Sequence, residues 1–344
     1  MKIDLLPRSG KYYKASMHTH STVSDGKFSP EEVKRMYMEQ GYSIIAYTDH
    51  EILIPHNDLS DENFLALTSY EVSLSEKREG PSGSRRCCHL PVYAKDPEQV
   101  RSAVFSMRYV KNERMQALVP EEAKEVDYVR EYNTDAINDL IARANADGCL
   151  VCFNHPVWSQ QNYPDYAGLK GLWGMEVYNY SCEVYGYRET PQPYYDLLHE
   201  GELVFPVSSD DSHSEIDYAG GWIMVNADSL TYKSVMDSLA RGDFYASAGP
   251  EIYEFSVDGG HVHVSCSEAV SIALATERRT LYHAWAGNGA PRTEADFDIQ
   301  KYIDETKAAT AFPWKPFIRL EVTDKYGKVA YTRAYRFDEF VKDA

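Results

Sequence analysis

Long apolar runs are missing from this 344-residue chain. No stretch approaches the ~18 consecutive apolar residues of a membrane span. The first ten residues carry no apolar segment of the signal-peptide kind. The expectation is a soluble, cytoplasmic protein with no membrane partner. Basic residues are scarce as well: 35 Lys and Arg stand against 53 Asp and Glu, a net charge of −18. Most of the surface then repels a polyanion, which argues against a duplex nucleic acid partner and leaves a small anionic ligand that meets a local positive site or metal ions. Cysteine is thin: Cys87, Cys88, Cys149, Cys152, Cys182 and Cys266 are too few in so large a chain for a disulfide framework. They read as reduced core thiols. Internal repeats and low-complexity segments are also absent.

What is present is an alternation of short apolar runs and helical patterns. Tyr12 to His18 reads as a strand. Ser29-Pro30-Glu31-Glu32 then reads as a helix start, with Ser29 as cap, Pro30 in the first turn and Glu32 completing a capping box. Val33, Met36 and Tyr37 form that helix's apolar stripe, and Gly41 ends it. Ser43 to Tyr47 is a continuous apolar run of the kind buried on both faces in a parallel sheet. The pattern recurs with strands at Phe64 to Tyr70, Cys87 to Tyr93, Cys149 to Phe153, Leu172 to Tyr178 and Leu203 to Val207, and with helices from a Thr134 cap, around Tyr194 to His199, and from Thr231 to Arg241. An α/β architecture follows. About seven strands whose chemistry-bearing residues gather at strand ends favour a distorted (β/α)7 TIM-like barrel over a doubly wound open sheet, which would draw its site from two or three strands. The predicted domains are a barrel over 1–250, with an insertion at about 95–133 placed to cap its mouth, and a small all-β sandwich over 251–344, where short strands and turn signals replace the helical period.

The strand ends carry a particular set of side chains. Met17-His18-Thr19-His20 closes the first strand, and residues two apart on a strand point the same way. Asp25 follows in Ser24-Asp25-Gly26, either as a ligand or as a turn residue. His50 ends Thr48-Asp49-His50, Glu71 ends the next strand, His89 lies within another as ligand or as core histidine, and His155 sits in Asn154-His155-Pro156. The last run ends in Asp210-Asp211-Ser212-His213, in which either aspartate could be the ligand. Imidazole with carboxylate suits Zn, Mn or Fe, and the absence of cysteine from the set argues against a structural zinc site. The set exceeds one ion's needs, so two to three divalent ions are expected, with Glu71 as the bridging carboxylate. Glu176 and Asp49 read as orienting groups. His261-Val262-His263 repeats the spacing of His18 and His20 without ligand-type strand ends around it, and reads as a solvated strand face.

In this order, His18-Thr19-His20, Ser24-Asp25-Gly26, Thr48-Asp49-His50, Glu71, Asn154-His155-Pro156 and Asp211-x-His213 resemble the motifs of the PHP (polymerase and histidinol phosphatase) domain over about residues 12 to 250. The resemblance implies a trinuclear metal site and phosphoesterase activity. By position it implies a first ion on His18, His20, Glu71 and Asp211, a second on Glu71, His89 and His155, and a third on Asp25, His50 and His213. The expected reaction is hydrolysis of a small phosphomonoester, with nucleotide-like esters among the candidates, by a hydroxide bridging two ions. Glu71, Asp211 and His213 are the expected catalytic residues, either of the last two passing the leaving-group proton. Arg85 and Arg86, in a loop with Lys77 and Arg78, suit bidentate phosphate contact, and Trp158 and Arg188 lie in aromatic loops that could hold a planar leaving group. Histidinol phosphate as substrate, a metal-dependent amidohydrolase and a noncatalytic metal-binding module are the alternatives. Oligomeric state is left open.

Overall fold

A computed structural model describes residues 2–77, 80–81, 83–287, 290–311 and 315–342. In chain order the elements are β1 (Lys2–Asp4), β2 (Lys11–Thr19), α1 (Pro30–Glu39), β3 (Ile44–Tyr47), β4 (Leu65–Ser75), β5 (Cys87–Ala94), α2 (Glu113–Leu118), α3 (Thr134–Ala146) and β6 (Cys149–Phe153). There follow α4 (Tyr163–Tyr166), β7 (Gly174–Asn179), α5 (Tyr180–Val184), α6 (Gln192–His199), β8 (Phe205–Ser209), β9 (Trp222–Ala227), α7 (Tyr232–Arg241) and β10 (Phe244–Ser247). The remainder comprises β11 (Ile252–Asp258), β12 (His261–Ala269), β13 (Ser271–Thr276), β14 (Leu281–Trp285), β15 (Arg292–Asp298), α8 (Gln300–Ala308), β16 (Phe317–Thr323), β17 (Val329–Thr332), β18 (Tyr335–Arg336) and α9 (Phe337–Phe340).

Local chemistry explains the helices that frame the site. Ser29 and Glu32 form the expected capping box at α1, with Pro30 in its first turn. The α3 cap is Asn133 rather than Thr134: its side chain accepts the Ala136 N–H at 2.9 Å, and Asn outranks Thr in that role. At α7 the chain stops at Gly242, whose φ of 74° is left-handed.

The strands β2 to β8 lie side by side in sequence order within one large mixed sheet. Pairing is parallel through β2-β3-β4 and again through β6-β7-β8, while β5 runs antiparallel to both neighbours. This departs from uniform strand–helix alternation. The chain between β4 and β5 holds no helix among its described residues, and without a crossover the returning strand pairs antiparallel. Beyond Ser209 the end of the run meets its beginning: the Asp211 N–H donates to the His18 carbonyl at 2.9 Å, and the His20 N–H to that of Ser212 at 3.0 Å. The ends of β2 and β8 are thereby held together where the ligand-type residues lie. The main core fills the space between these strands and α3, α6 and α7.

On its other side β2 pairs with β9, which continues through β10 and β17 to β16, β13 and β14. Neither β9 nor the β9–β10 pairing was expected from the sequence. The β-rich tail therefore shares a sheet with the first half of the chain. A second sheet, β1-β11-β12-β15, takes its edge strand from the N-terminus. A separate core between the two includes Leu5 and Leu6 with Phe255, Ile272 and Ile318. The tail also holds α8, which strand-dominated patterning did not foretell. The insertion carries α2, short 3₁₀ turns and a small core of its own, in which Phe105, Val110, Met115, Val119 and Ala123 pack on Ile52. Buried Arg130 locks it down: Nη1 lies 2.5 Å from Glu51 Oε2, and Nη2 donates to the Val104 carbonyl at 3.0 Å. Among the described residues no helix is long and apolar enough to cross a membrane.

Candidate metal centre

Strand alternation puts His18 and His20 on one face at the end of β2, both fully buried. Their Nε2 atoms are 3.2 Å apart and each lies close to Asp211 Oδ1, at 3.1 and 3.2 Å. Glu71 enters from β4. It sits inside that strand, which runs on to Ser75, rather than at its end as expected. Its Oε1 is 3.2 Å from His18 Nε2 and 3.5 Å from His155 Nε2, and its Oε2 is 3.0 Å from His50 Nδ1 and 3.3 Å from His89 Nδ1. One carboxylate thus reaches five imidazoles, Oε1 those of His18 and His155 and Oε2 those of His50, His89 and, at 3.7 Å, His20. A third grouping forms around Asp25, whose oxygens lie 3.5 Å from His20 Nδ1, 3.5 Å from His50 Nε2 and 3.6 Å from His213 Nε2.

All nine side chains named from the sequence are therefore brought together. They fall into sets that could each hold an ion: His18, His20 and Asp211; Glu71, His89 and His155; and His20, Asp25, His50 and His213. The third set gains His20 over the expected one, and the first forms without Glu71.

Surrounding groups hold the ligand-type residues in place. Glu176 Oε1 is 3.2 Å from His18 Nδ1, and its Oε2 accepts the His155 N–H at 3.1 Å. Fixing Nδ1 in this way turns Nε2 toward the other groups, the carboxylate–histidine arrangement usual around metals. Asp49 accepts from both the backbone and the hydroxyls of Ser21 and Ser24, at 2.7 to 3.0 Å, and so shapes the loop that carries Asp25. Gly26 is required there, because a Cβ would stand 2.5 Å from the His20 carbonyl oxygen. The two aspartates separate cleanly. Asp210 turns away and accepts from the Ala219, Gly220 and Gly221 N–H groups and from the Tyr37 hydroxyl, while Asp211 faces the histidines. Asp211 and His155 both adopt left-handed backbone, φ 55° and 27°. Such conformations cost energy and gather at functional sites.

The electrostatics fit a site built for cations. Burial alone would lower His18 and His50, yet Asp211 and Glu71 hold His18 well above its ordinary value, and the facing carboxylates of Asp25 and Glu71 push His50 up to about 10. His20, buried and facing other imidazoles, is pulled down to about 4. Burial would raise Glu71 and Asp211, but the surrounding imidazoles hold both well below the carboxylate range. Glu71 Oε1 and His50 Nδ1 are buried without a hydrogen-bond partner among the described residues. Buried polar atoms are seldom left so, and divalent ions bound there would satisfy them.

The cluster forms the floor of a cavity of about 630 Å³. Arg85 and Trp158 line it as expected, and Trp158 sets its ring 5.4 Å from that of His89 and 5.1 Å from that of His155. Arg86 does not reach it, because its guanidinium is taken by Glu76 and by both oxygens of Asp165. Arg188 is exposed and outside the lining. Arg78 lies outside the described residues. Three lining residues escaped the sequence reading. Ser73 and Ser75 share the face of Glu71 and were findable by alternation along β4. Lys111 comes from the insertion with no local signal. Cys87, read as a core thiol, is only half-buried and also faces the cavity.

No family model matches the sequence, and no curated protein matches it. Similar solved structures include a two-domain protein from Bacteroides vulgatus containing a predicted PHP-like metal-dependent phosphoesterase, at 16% identity over 96% of this chain and 98% of that one, with a TM-score of 0.43. A second, assigned as a metal-dependent phosphoesterase, is from Bifidobacterium adolescentis, with 17% identity, coverage of 69% and 97%, and a TM-score of 0.40. A third is an amidohydrolase from Chromobacterium violaceum, solved with bound sulfate and no metal, with 15% identity, coverage of 67% and 96%, and a TM-score of 0.39. The chain is thus similar, at low identity, to PHP-like metal-dependent phosphoesterases of solved structure.

Proposed function

We propose that the chain is a metal-dependent hydrolase of a small phosphomonoester, working at a site for two to three divalent ions of the Zn, Mn or Fe kind. The observation that carries this reading is Glu71, a buried carboxylate with five imidazoles within 3.7 Å of its two oxygens. Ions bound there supply Lewis acidity toward phosphoryl oxygens and lower the pKa of water toward neutrality.

The chain's own residues supply the rest. His18, His20 and Asp211 would hold one ion, Glu71, His89 and His155 a second, and His20, Asp25, His50 and His213 a third, with Glu71 Oε1, 3.2 Å from His18 Nε2, available to join the first two. Arg85 and Lys111 put positive charge on the cavity wall of an otherwise acidic protein, which favours an anionic substrate. Trp158 offers a flat face to a planar leaving group. Of the two residues considered for the leaving-group proton, His213 is the more exposed, at 32% against 14% for Asp211, but its Nδ1 meets the Asp211 carbonyl at 2.8 Å, so it passes a proton from Nε2 only with two ions bound and the third set empty. On this reading β2 to β8 form a distorted barrel, residues 1–250 are the catalytic domain, and residues 251–344 are an accessory one.

The test is metal analysis of protein prepared without chelator, together with a phosphate-release screen over nucleotides, bisphosphates and sugar phosphates. Two to three equivalents of transition metal with phosphate release are expected, and Glu71→Gln should lose both. Full metal with no release from any phosphate ester would overturn the phosphoesterase reading, and absence of metal would overturn the hydrolase reading as a whole.

A further inference from the structure

The turn after β6 carries both a ligand-type residue and a wall of the cavity. It brings His155 to Glu71, sets the Trp158 ring 5.1 Å from that of His155, and places Ser159 Oγ 3.2 Å from His155 Nδ1. It is one helical turn long: the Ser159 N–H donates to the His155 carbonyl at 3.1 Å, and the Gln161 N–H to that of Pro156 at 2.9 Å. The first N–H groups of such a turn have no partner within it. That of His155 is met by Glu176 Oε2, and Pro156 has none. Those of Val157 and Trp158 are both met by Glu189, from the loop between α5 and α6. Its Oε2 accepts from Val157 at 3.1 Å and its Oε1 from Trp158 at 2.9 Å.

Satisfying those two N–H groups does not by itself call for a carboxylate. Val157 and Trp158 are 36% and 41% exposed, so water is at hand for both. Glu189 is half-buried, lies within reach of the Glu176 charge, and is paired with no Lys or Arg among the described residues; burial pushes its carboxyl up. A carboxylate kept there against the cost of desolvation supplies something that water does not. That something is direction. Two oxygens fixed on consecutive N–H groups set the pitch of the turn, and with it the place of the Trp158 ring. His155 depends on the clamp less, because Glu176 and Ser159 hold it independently.

We propose that Glu189 is a positioning residue for the cavity wall: by clamping the Val157 and Trp158 N–H groups it fixes the Trp158 ring beside the metal centre, and so sets the room left for a planar group of the substrate. The clamp stands without the phosphoesterase reading, whereas its effect on a leaving group rests on that reading.

The test uses the full-length, metal-loaded protein labelled with 5-fluorotryptophan, in which Trp158→Phe identifies the Trp158 fluorine signal among those of the five tryptophans. Glu189→Ala should shift or broaden that signal and leave the other four in place, with metal content unchanged. Glu189→Gln, whose amide oxygen still accepts one N–H, should give a smaller change. A second arm compares 4-nitrophenyl phosphate, which has a planar leaving group, with glycerol phosphate, which has none. Glu189→Ala should raise KM for the aromatic ester about three- to tenfold, the range of one aromatic contact, and not for the aliphatic one. In a Trp158→Ala background the same change should add nothing, because the two residues act as one unit. A Trp158 signal unmoved by Glu189→Ala, equal movement of all five signals, or a KM effect that persists in Trp158→Ala would each overturn the proposal. Absence of phosphate release from either ester would bear on the phosphoesterase reading alone, since the fluorine spectrum decides the clamp by itself.

Discussion

Two histidine pairs of identical spacing, His18-Thr19-His20 and His261-Val262-His263, meet opposite fates in this molecule. The first is sealed from solvent at the end of β2, where Glu71 and Asp211 arrive from other strands. The second lies on β12, where His261 is exposed and His263 pairs with Asp296 of the adjoining strand at 2.8 Å. Intrinsic chemistry is the same in both. What differs is what the neighbouring strands do: at β2 and β8 the strand ends are held together and their buried side chains converge, whereas β11, β12 and β15 run antiparallel and leave Asp258 and Asp298 opposite His261 and Asp296 opposite His263 on an open sheet, with no further imidazole brought to either among the described residues. A His-x-His motif is a metal site only where the fold supplies the missing ligands.

The comparison can be broken most directly by deleting each pair. His18→Ala with His20→Ala should lower metal content and reduce turnover at least about 10³-fold, since bound ions account for several kcal/mol of transition-state stabilisation. His261→Ala with His263→Ala should leave both unchanged. Metal analysis and initial rates on the two double variants decide this, and equal losses would remove the distinction.

The ion pairs of the two regions come next. Arg130–Glu51 is buried beside the cradle, so Arg130→Ala should cost about 3–5 kcal/mol in denaturant unfolding by leaving Glu51 uncompensated. It should also loosen the insertion that carries Lys111.

A smaller effect should come from the group behind His18. Glu176→Gln keeps shape but weakens the hold on Nδ1, and a 10- to 100-fold fall in metal affinity or activity is expected from titration with a competing chelator. Retained affinity would show that Asn154, whose Nδ2 lies 2.6 Å from the same Nδ1, and the strand orient the ring without Glu176.

The least change should follow Asp296→Asn in the tail. Its side chain is 79% exposed, and exposed pairs contribute about 0–1 kcal/mol, so the melting temperature should barely move and metal content should not.

Much of the cradle was legible because metal ligands are chemically conspicuous and strand ends are marked by the turn residues that follow them. All nine named side chains meet in one place, and the α1 capping box was readable from four consecutive residues. The substrate-facing residues were less legible. Arg85 and Arg86 are adjacent and alike, yet one lines the cavity and the other is consumed by Glu76 and Asp165, a division set by partners 10 and 79 residues away. Lys111 carries no signal in its own neighbourhood. The β9–β10 pairing was missed because short antiparallel strands without clear alternation cannot be told from loop by local pattern.

By itself, then, the sequence determined which residue types could bind metal, the alternation of strands and helices over the first 250 residues, and an acidic balance that leaves positive charge to a few local cations. These are properties of composition and short-range period, written in adjacent residues. Only the tertiary structure decided that Asp211 and not Asp210 faces the histidines, that Glu71 reaches five of them from inside its strand, that β5 runs against its neighbours, and that His18 and His261 part ways. Each depends on which distant backbone or side-chain groups satisfy a given polar atom, and that pairing is fixed by long-range strand register and packing.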